Sequence, residues 1–84
     1  MLQTTYIKKN NVGIKFETHY KYQNGKAIGE VYSATTVTLY GFTWKEEERE
    51  FSTKEEGNAY FRECLNNGFE RCMYSEYEAL RPWD

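Results

Sequence analysis

Proline and histidine are nearly missing from this sequence of 84 residues: Pro82 is its one proline and His19 its one histidine. With proline confined to the end, nothing interrupts a hydrogen-bonded ladder over the first eighty residues, and an aromatic, β-branched chain of this kind favours sheet. A single histidine means that a His-based metal site would need carboxylates or thiols as its other ligands. Cys64 and Cys72 lack C-x-x-C spacing and further Cys or His to complete four zinc ligands. There is no G-x-G-x-x-G, no G-x-x-x-x-G-K and no G-x-S-x-G, so nucleotide and acyl-transfer chemistry have no support. Neither a metal nor a cofactor is expected. No stretch approaches the length of a membrane span, and Met1 to Tyr6 is followed by Lys8-Lys9 without an apolar run. The expectation is a cytoplasmic protein whose two cysteines are reduced thiols, a disulfide between them being sterically open but less expected in that compartment.

Basic clusters are missing too. Net charge is −2: residues 1–44 carry five Lys against two Glu, and residues 45–84 carry six Lys or Arg against eleven Asp or Glu, so the halves are +3 and −5. An acidic balance argues against a duplex nucleic-acid binder, which needs grouped Lys and Arg to neutralise phosphates. The Lys of the first half (8, 9, 15, 21 and 26) are scattered.

What is present is aromatic surface and one well-punctuated helix. Fifteen aromatics, eight of them Tyr, suit one small domain over residues 1–84, because each can bury roughly 150–250 Å² while Tyr keeps its hydroxyl wet. Between Phe51 and Phe69, Ser52 or Thr53 with Glu55 or Glu56 makes a capping box in either register. Gly57, Tyr60, Phe61, Cys64, Leu65 and Gly68 form one stripe at helical period, while Lys54, Asn58, Arg62, Glu63 and Asn66 face away. Asn67-Gly68 followed by Phe69 is a stop signal. Gly57 costs about 1 kcal/mol against Ala inside a helix, and its presence predicts a close approach to the sheet where a side chain would collide.

Strands precede the helix. Leu2 to Lys8 reads as a first strand closed by Lys9-Asn10-Asn11, and Val12 to Tyr22 alternates apolar and polar at period two. Asn24-Gly25 predicts a two-residue hairpin turn in which Tyr22 faces Ala27, Tyr20 faces Gly29, Thr18 faces Val31 and Phe16 faces Ser33. Val31 to Trp44 is either one long bent strand or two joined near Ser33-Ala34. Val37 and Leu39 are placed on one face and Tyr40, Phe42 and Trp44 on the other; two-sided apolarity means a central strand, a second layer or an exposed aromatic patch. Lys45-Glu46-Glu47-Glu48 is expected as a turn and Arg49-Glu50-Phe51 as a short return strand. Phe69 to Tyr74 reads as a last strand, and Ser75 with Glu78 as the cap of one final helical turn, before a tail whose Trp83 either tucks in or is a sticky end.

The predicted fold is α+β: an antiparallel sheet of four to five strands with one amphipathic helix packed on a face. No catalytic signature stands above it. Glu17 and His19 share a strand face, but a base needs a partner and a pocket, and the pattern is that of a solvated strand. Cys64 lies near the C-terminal end of its helix, where the dipole disfavours a thiolate, so core packing is its natural role. The most functional-looking feature is Glu46, Glu47, Glu48 and Glu50 beside Tyr40, Phe42 and Trp44, because charge of one sign steers association and Tyr and Trp anchor interfaces.

In size, acidity and absence of chemistry the chain resembles the small inhibitors that phages and other mobile elements encode against host defence nucleases, anti-CRISPR proteins among them; the likeness is one of type and carries no residue roles. The expectation is a non-enzymatic protein-binding module that occludes a basic surface of another protein. The alternative is a single-stranded nucleic-acid binder using Lys15, Lys21 and Lys26 with sheet aromatics. Apolar groups on two faces also leave room for a homodimer.

Overall fold

The computed structural model describes residues 3–81. Along the chain it has β1 (Gln3–Lys9), β2 (Val12–Gln23), β3 (Lys26–Tyr40), β4 (Thr43–Phe51), α1 (Lys54–Asn66), β5 (Glu70–Cys72) and α2 (Tyr74–Glu78). All strand pairs are antiparallel, in the spatial order β4-β3-β2-β1-β5. The α+β class and the five-stranded antiparallel sheet agree with the sequence reading; among the described residues the helices number two, not one, and they cover opposite faces.

The turns follow from residues that tolerate a left-handed backbone. Asn24 and Gly25 both have positive φ (53° and 80°), as a two-residue hairpin with the right twist requires. The register does not continue unbroken from that turn. Tyr22 pairs with Ala27 as expected, but Lys21 pairs with Gly29, leaving Ile28 as the extra residue of a β-bulge. Beyond it Tyr20 meets Glu30, Thr18 meets Tyr32 and Phe16 meets Ala34, one residue off the predicted pairs. A one-residue slip exchanges faces. Tyr32 and Ala34 thereby join Phe16 and Ile14 on one side of the sheet, and Val37 and Leu39 go to the other.

β3 is one strand that ends at Tyr40, and the chain reverses at Gly41-Phe42, with Gly41 at φ 61°. Lys45 to Glu48 is therefore not a turn but the middle of edge strand β4. Because the reversal uses two residues, Trp44 pairs with Leu39 and shares its face, whereas Tyr40 pairs with Thr43 on the opposite one. The predicted grouping of Trp44 with Tyr40 and Phe42 fails for that reason.

α1 carries the chain from one edge of the sheet to the other. Thirteen residues at about 1.5 Å each span roughly 20 Å, close to the width of five strands at about 4.8 Å spacing. Thr53 is the N-cap, its Oγ1 accepting from Glu56 N at 3.2 Å, while Glu56 Oε2 accepts from Ser52 N at 3.1 Å. At the other end Gly68 (φ 101°) donates to Leu65 O and Phe69 N donates to Cys64 O, a Schellman stop. Tyr60, Phe61, Cys64, Leu65 and Phe69 pack on Ile7, Ile14, Phe16, Ala34 and Phe51, as the stripe predicts.

On the other face α2 sets Tyr77 and Leu80 against Val37, with Tyr6, Leu39 and Trp44 around them. Gly13 makes room for this: a Cβ there would lie 2.6 Å from Leu80 Cδ1 and 3.1 Å from Tyr77 Cδ1. α2 starts two residues earlier than Ser75 implies, with Glu76 Oε2 accepting from Met73 N at 2.8 Å. Cys64 lies in the α1 core, whereas Cys72 pairs with Tyr6 and so points to the α2 side. Both are free thiols on opposite faces, which rules out a bond between them in this fold. Leu2 and Trp83, to which the sequence reading gave places, lie outside the described residues. Among the described residues no helix is long and apolar enough to cross a membrane.

Candidate functional site

β4 is an outer strand of the sheet, so one row of its backbone N–H and C=O groups faces outward without a neighbouring strand among the described residues. Its side chains alternate. Trp44, Glu46, Glu48 and Glu50 share the α2 face with their partners Leu39, Val37, Thr35 and Ser33, and Lys45, Glu47, Arg49 and Phe51 share the α1 face.

The seven residues singled out in the sequence fall into three groups. Glu46 and Trp44 have structural work: Arg81 Nη1 lies 2.7 Å from Glu46 Oε2, Arg81 Nη2 lies 2.7 Å from Glu78 Oε1, and the guanidinium sits over the Trp44 and Tyr77 rings at 5.7 and 5.9 Å. This knot ties the end of α2 to the edge strand. Glu47, Glu48 and Glu50 are exposed. Glu47 pairs with Lys45 at 3.3 Å on the same face, and no ion pair engages Glu48 or Glu50 among the described residues. Tyr40 and Phe42 project from the β3–β4 turn, 58% and 83% exposed. From that turn to Glu50 the edge runs about 25 Å at ~3.3 Å per residue. The site is therefore a line, aromatic at one end and acidic at the other.

The remaining candidates are dispersed. Lys15 and Lys21 sit on the α2 face of β2, with Lys15 Nζ 3.0 Å from Glu17 Oε1. Along β3, Gly29 (opposite Lys21) and Tyr40 are separated by roughly 35 Å, so Lys21 and Lys26 are remote from the Tyr40-Phe42 tip. His19 Nδ1 lies 3.9 Å from Glu17 Oε2 on the α2 face of β2, and the His19 side chain is 42% exposed. No group of three or more His, Cys, Asp or Glu side chains suitable for a metal occurs among the described residues. Burial pushes the Cys64 thiol up from its ordinary range, and burial followed by the nearby Glu76 does the same to Cys72; neither favours a thiolate nucleophile.

Two features were not singled out in the sequence. From Tyr20 to Glu30 every residue is exposed: β4 stops opposite Tyr32 and β1 opposite Thr18, so the β2–β3 hairpin continues as a bare two-stranded arm. Tyr20 and Tyr22 stack edge to face on it at 6.3 Å. The second is a cleft of about 150 Å³ between the start of α1 and the sheet. Alternation over residues 12–22 could have hinted at the arm, since the strand is longer than its first neighbour. The cleft depends on helix placement and had no local signal. No protein-family model, no curated protein and no solved structure matches the chain.

Proposed function

We propose that the protein is a non-enzymatic binding module that docks a basic surface of another protein along edge strand β4. The observation that carries this reading is the pair Glu48 and Glu50, two exposed carboxylates with no ion-pair partner among the described residues, on a strand whose outer backbone row is open. Carboxylates on an open edge deter pairing with apolar strands and favour a basic one. Tyr40 and Phe42 at the end of the same edge supply aromatic area of the kind that anchors interfaces. The likeness of type to mobile-element inhibitors adds the expectation that the covered surface is itself a nucleic-acid-binding one, and the mechanism is occlusion.

The test compares the wild-type chain with E47A/E48A/E50A, which leaves the Glu46–Arg81 tie intact. A tagged capture from host lysate after nuclease treatment is expected to return a stoichiometric protein that the triple variant loses, while the unfolding midpoint changes little. Equal recovery by the variant, or recovery that vanishes with nuclease, would overturn the reading.

A further inference from the structure

We propose that the cleft beneath the first two turns of α1 is a binding site for a small aromatic carboxylate. The space exists because Gly57 presents no side chain to the sheet: the nearest atoms to a Cβ there would be Phe51 Cδ2 at 3.5 Å and Tyr32 Cβ at 3.9 Å. Phe16, Tyr32, Phe51 and Phe61 line the cleft. Its volume, about 150 Å³, is what a benzene-sized ring occupies in an apolar protein cavity. Aromatic walls favour a planar guest by offset or edge-to-face contact and offer a bare inorganic anion nothing.

Charge selects the other half of the ligand. Lys54 from the helix and Arg71 from β5 both reach the cleft, and neither has an ion-pair partner among the described residues. The Arg71 guanidinium is already oriented, 5.1 Å over the Phe61 ring, and a guanidinium takes a carboxylate through two parallel hydrogen bonds. Glu17 touches the rim, but its carboxylate is held by Lys15 at 3.0 Å. Thr18 and Asn58 add hydrogen-bonding groups beside the ring position. A neutral ring would leave the two cations unused, and a ringless acid would leave the aromatic walls empty. The cleft lies on the α1 face, apart from Glu48 and Glu50, so this inference stands independently of the docking function.

Amide NMR spectra of the labelled full chain, titrated separately with sodium benzoate, benzyl alcohol and sodium acetate, decide the matter. Benzoate is expected to give saturable shifts at Thr18, Gly57 and Asn58, with the other two roughly tenfold weaker or more, since a charge-assisted bond and a buried ring each contribute on that scale. R71Q, an exposed change, should weaken benzoate about tenfold. G57L should fill the cleft and abolish the shifts; should it fail to fold, R71Q alone decides. Absence of saturation, benzyl alcohol or acetate matching benzoate, or undiminished binding by R71Q would each overturn the proposal.

Discussion

Gly13 and Gly57 lie beneath α2 and α1, and a methyl group would act on them in opposite directions. At Gly13 a Cβ would sit 2.6 Å from Leu80 Cδ1 and 3.1 Å from the Tyr77 ring, both buried, so the Leu80 side chain would have to shift within a packed core. Gly13→Ala is expected to destabilise by about 1–3 kcal/mol, the usual cost of overpacking. At Gly57 the same atom would meet ordinary contacts at 3.5 Å and beyond. The collision expected from sequence does not occur, and Gly57→Ala should stabilise by about 0.5–1 kcal/mol through helix propensity. Urea unfolding of both variants measures the contrast; two losses or two gains would contradict it. Residue identity alone could not assign these roles, because each depends on which side chain a distant segment lays across the glycine. The same holds for Glu46 and Trp44, whose types suit an interface but which Arg81 engages from 35 and 37 positions later in the chain.

Among the elements, α1 was legible because its signals are local: the Thr53 cap, the apolar stripe and the Gly68-Phe69 stop all act within a few residues. The edge strand was not. A run of Lys and Glu is polar both in a turn and on an exposed strand, and only the two-residue reversal at Gly41-Phe42 distinguishes them. The arm formed by the ends of β2 and β3 shows what a strand is without a layer. Two-stranded ribbons are marginal in water, and among the described residues nothing covers either face between Tyr20 and Glu30. Hydrogen exchange should therefore find the arm's cross-strand amides at least roughly 100-fold less protected than those near Ile14 and Val37. Equal protection would mean that the arm is held by something else in solution, such as a second copy of the chain.

For the molecule as a whole, tyrosine sets the response to alkali. Burial pushes Tyr77 up to about 12 from an ordinary 10, and burial also raises Tyr60 and Tyr74. Tyr32 is raised first by its hydrogen bond to Glu30. The thiols of buried Cys64 and half-buried Cys72 shift the same way from an ordinary 9. In each case the folded state holds its proton to higher pH than the unfolded chain. The stabilisation is therefore complete below about pH 9 and is lost progressively toward about pH 12 as the unfolded chain releases protons first. Denaturant midpoints should fall between pH 9 and 11.5, and Tyr77→Phe should flatten that fall, its hydroxyl being buried without a partner among the described residues. A flat profile in the wild-type chain would refute the assignment.

By itself the sequence determined the α+β class, the strand-forming character of the first half, the Asn24-Gly25 turn and the limits of α1, because alternation, positive-φ residues and caps are properties of neighbouring residues. Tertiary structure decided the rest. The bulge at Ile28 chose which face Tyr32, Ala34 and Val37 enter, since a single extra residue inverts the alternation of everything beyond it. Docking of α2 on Gly13 closed the second face, half-buried Trp44 and tied the carboxylate of Glu46 to Arg81. What remains exposed, Glu48 and Glu50 on an open edge and a cleft under Gly57, exists only once elements distant in sequence have been brought side by side.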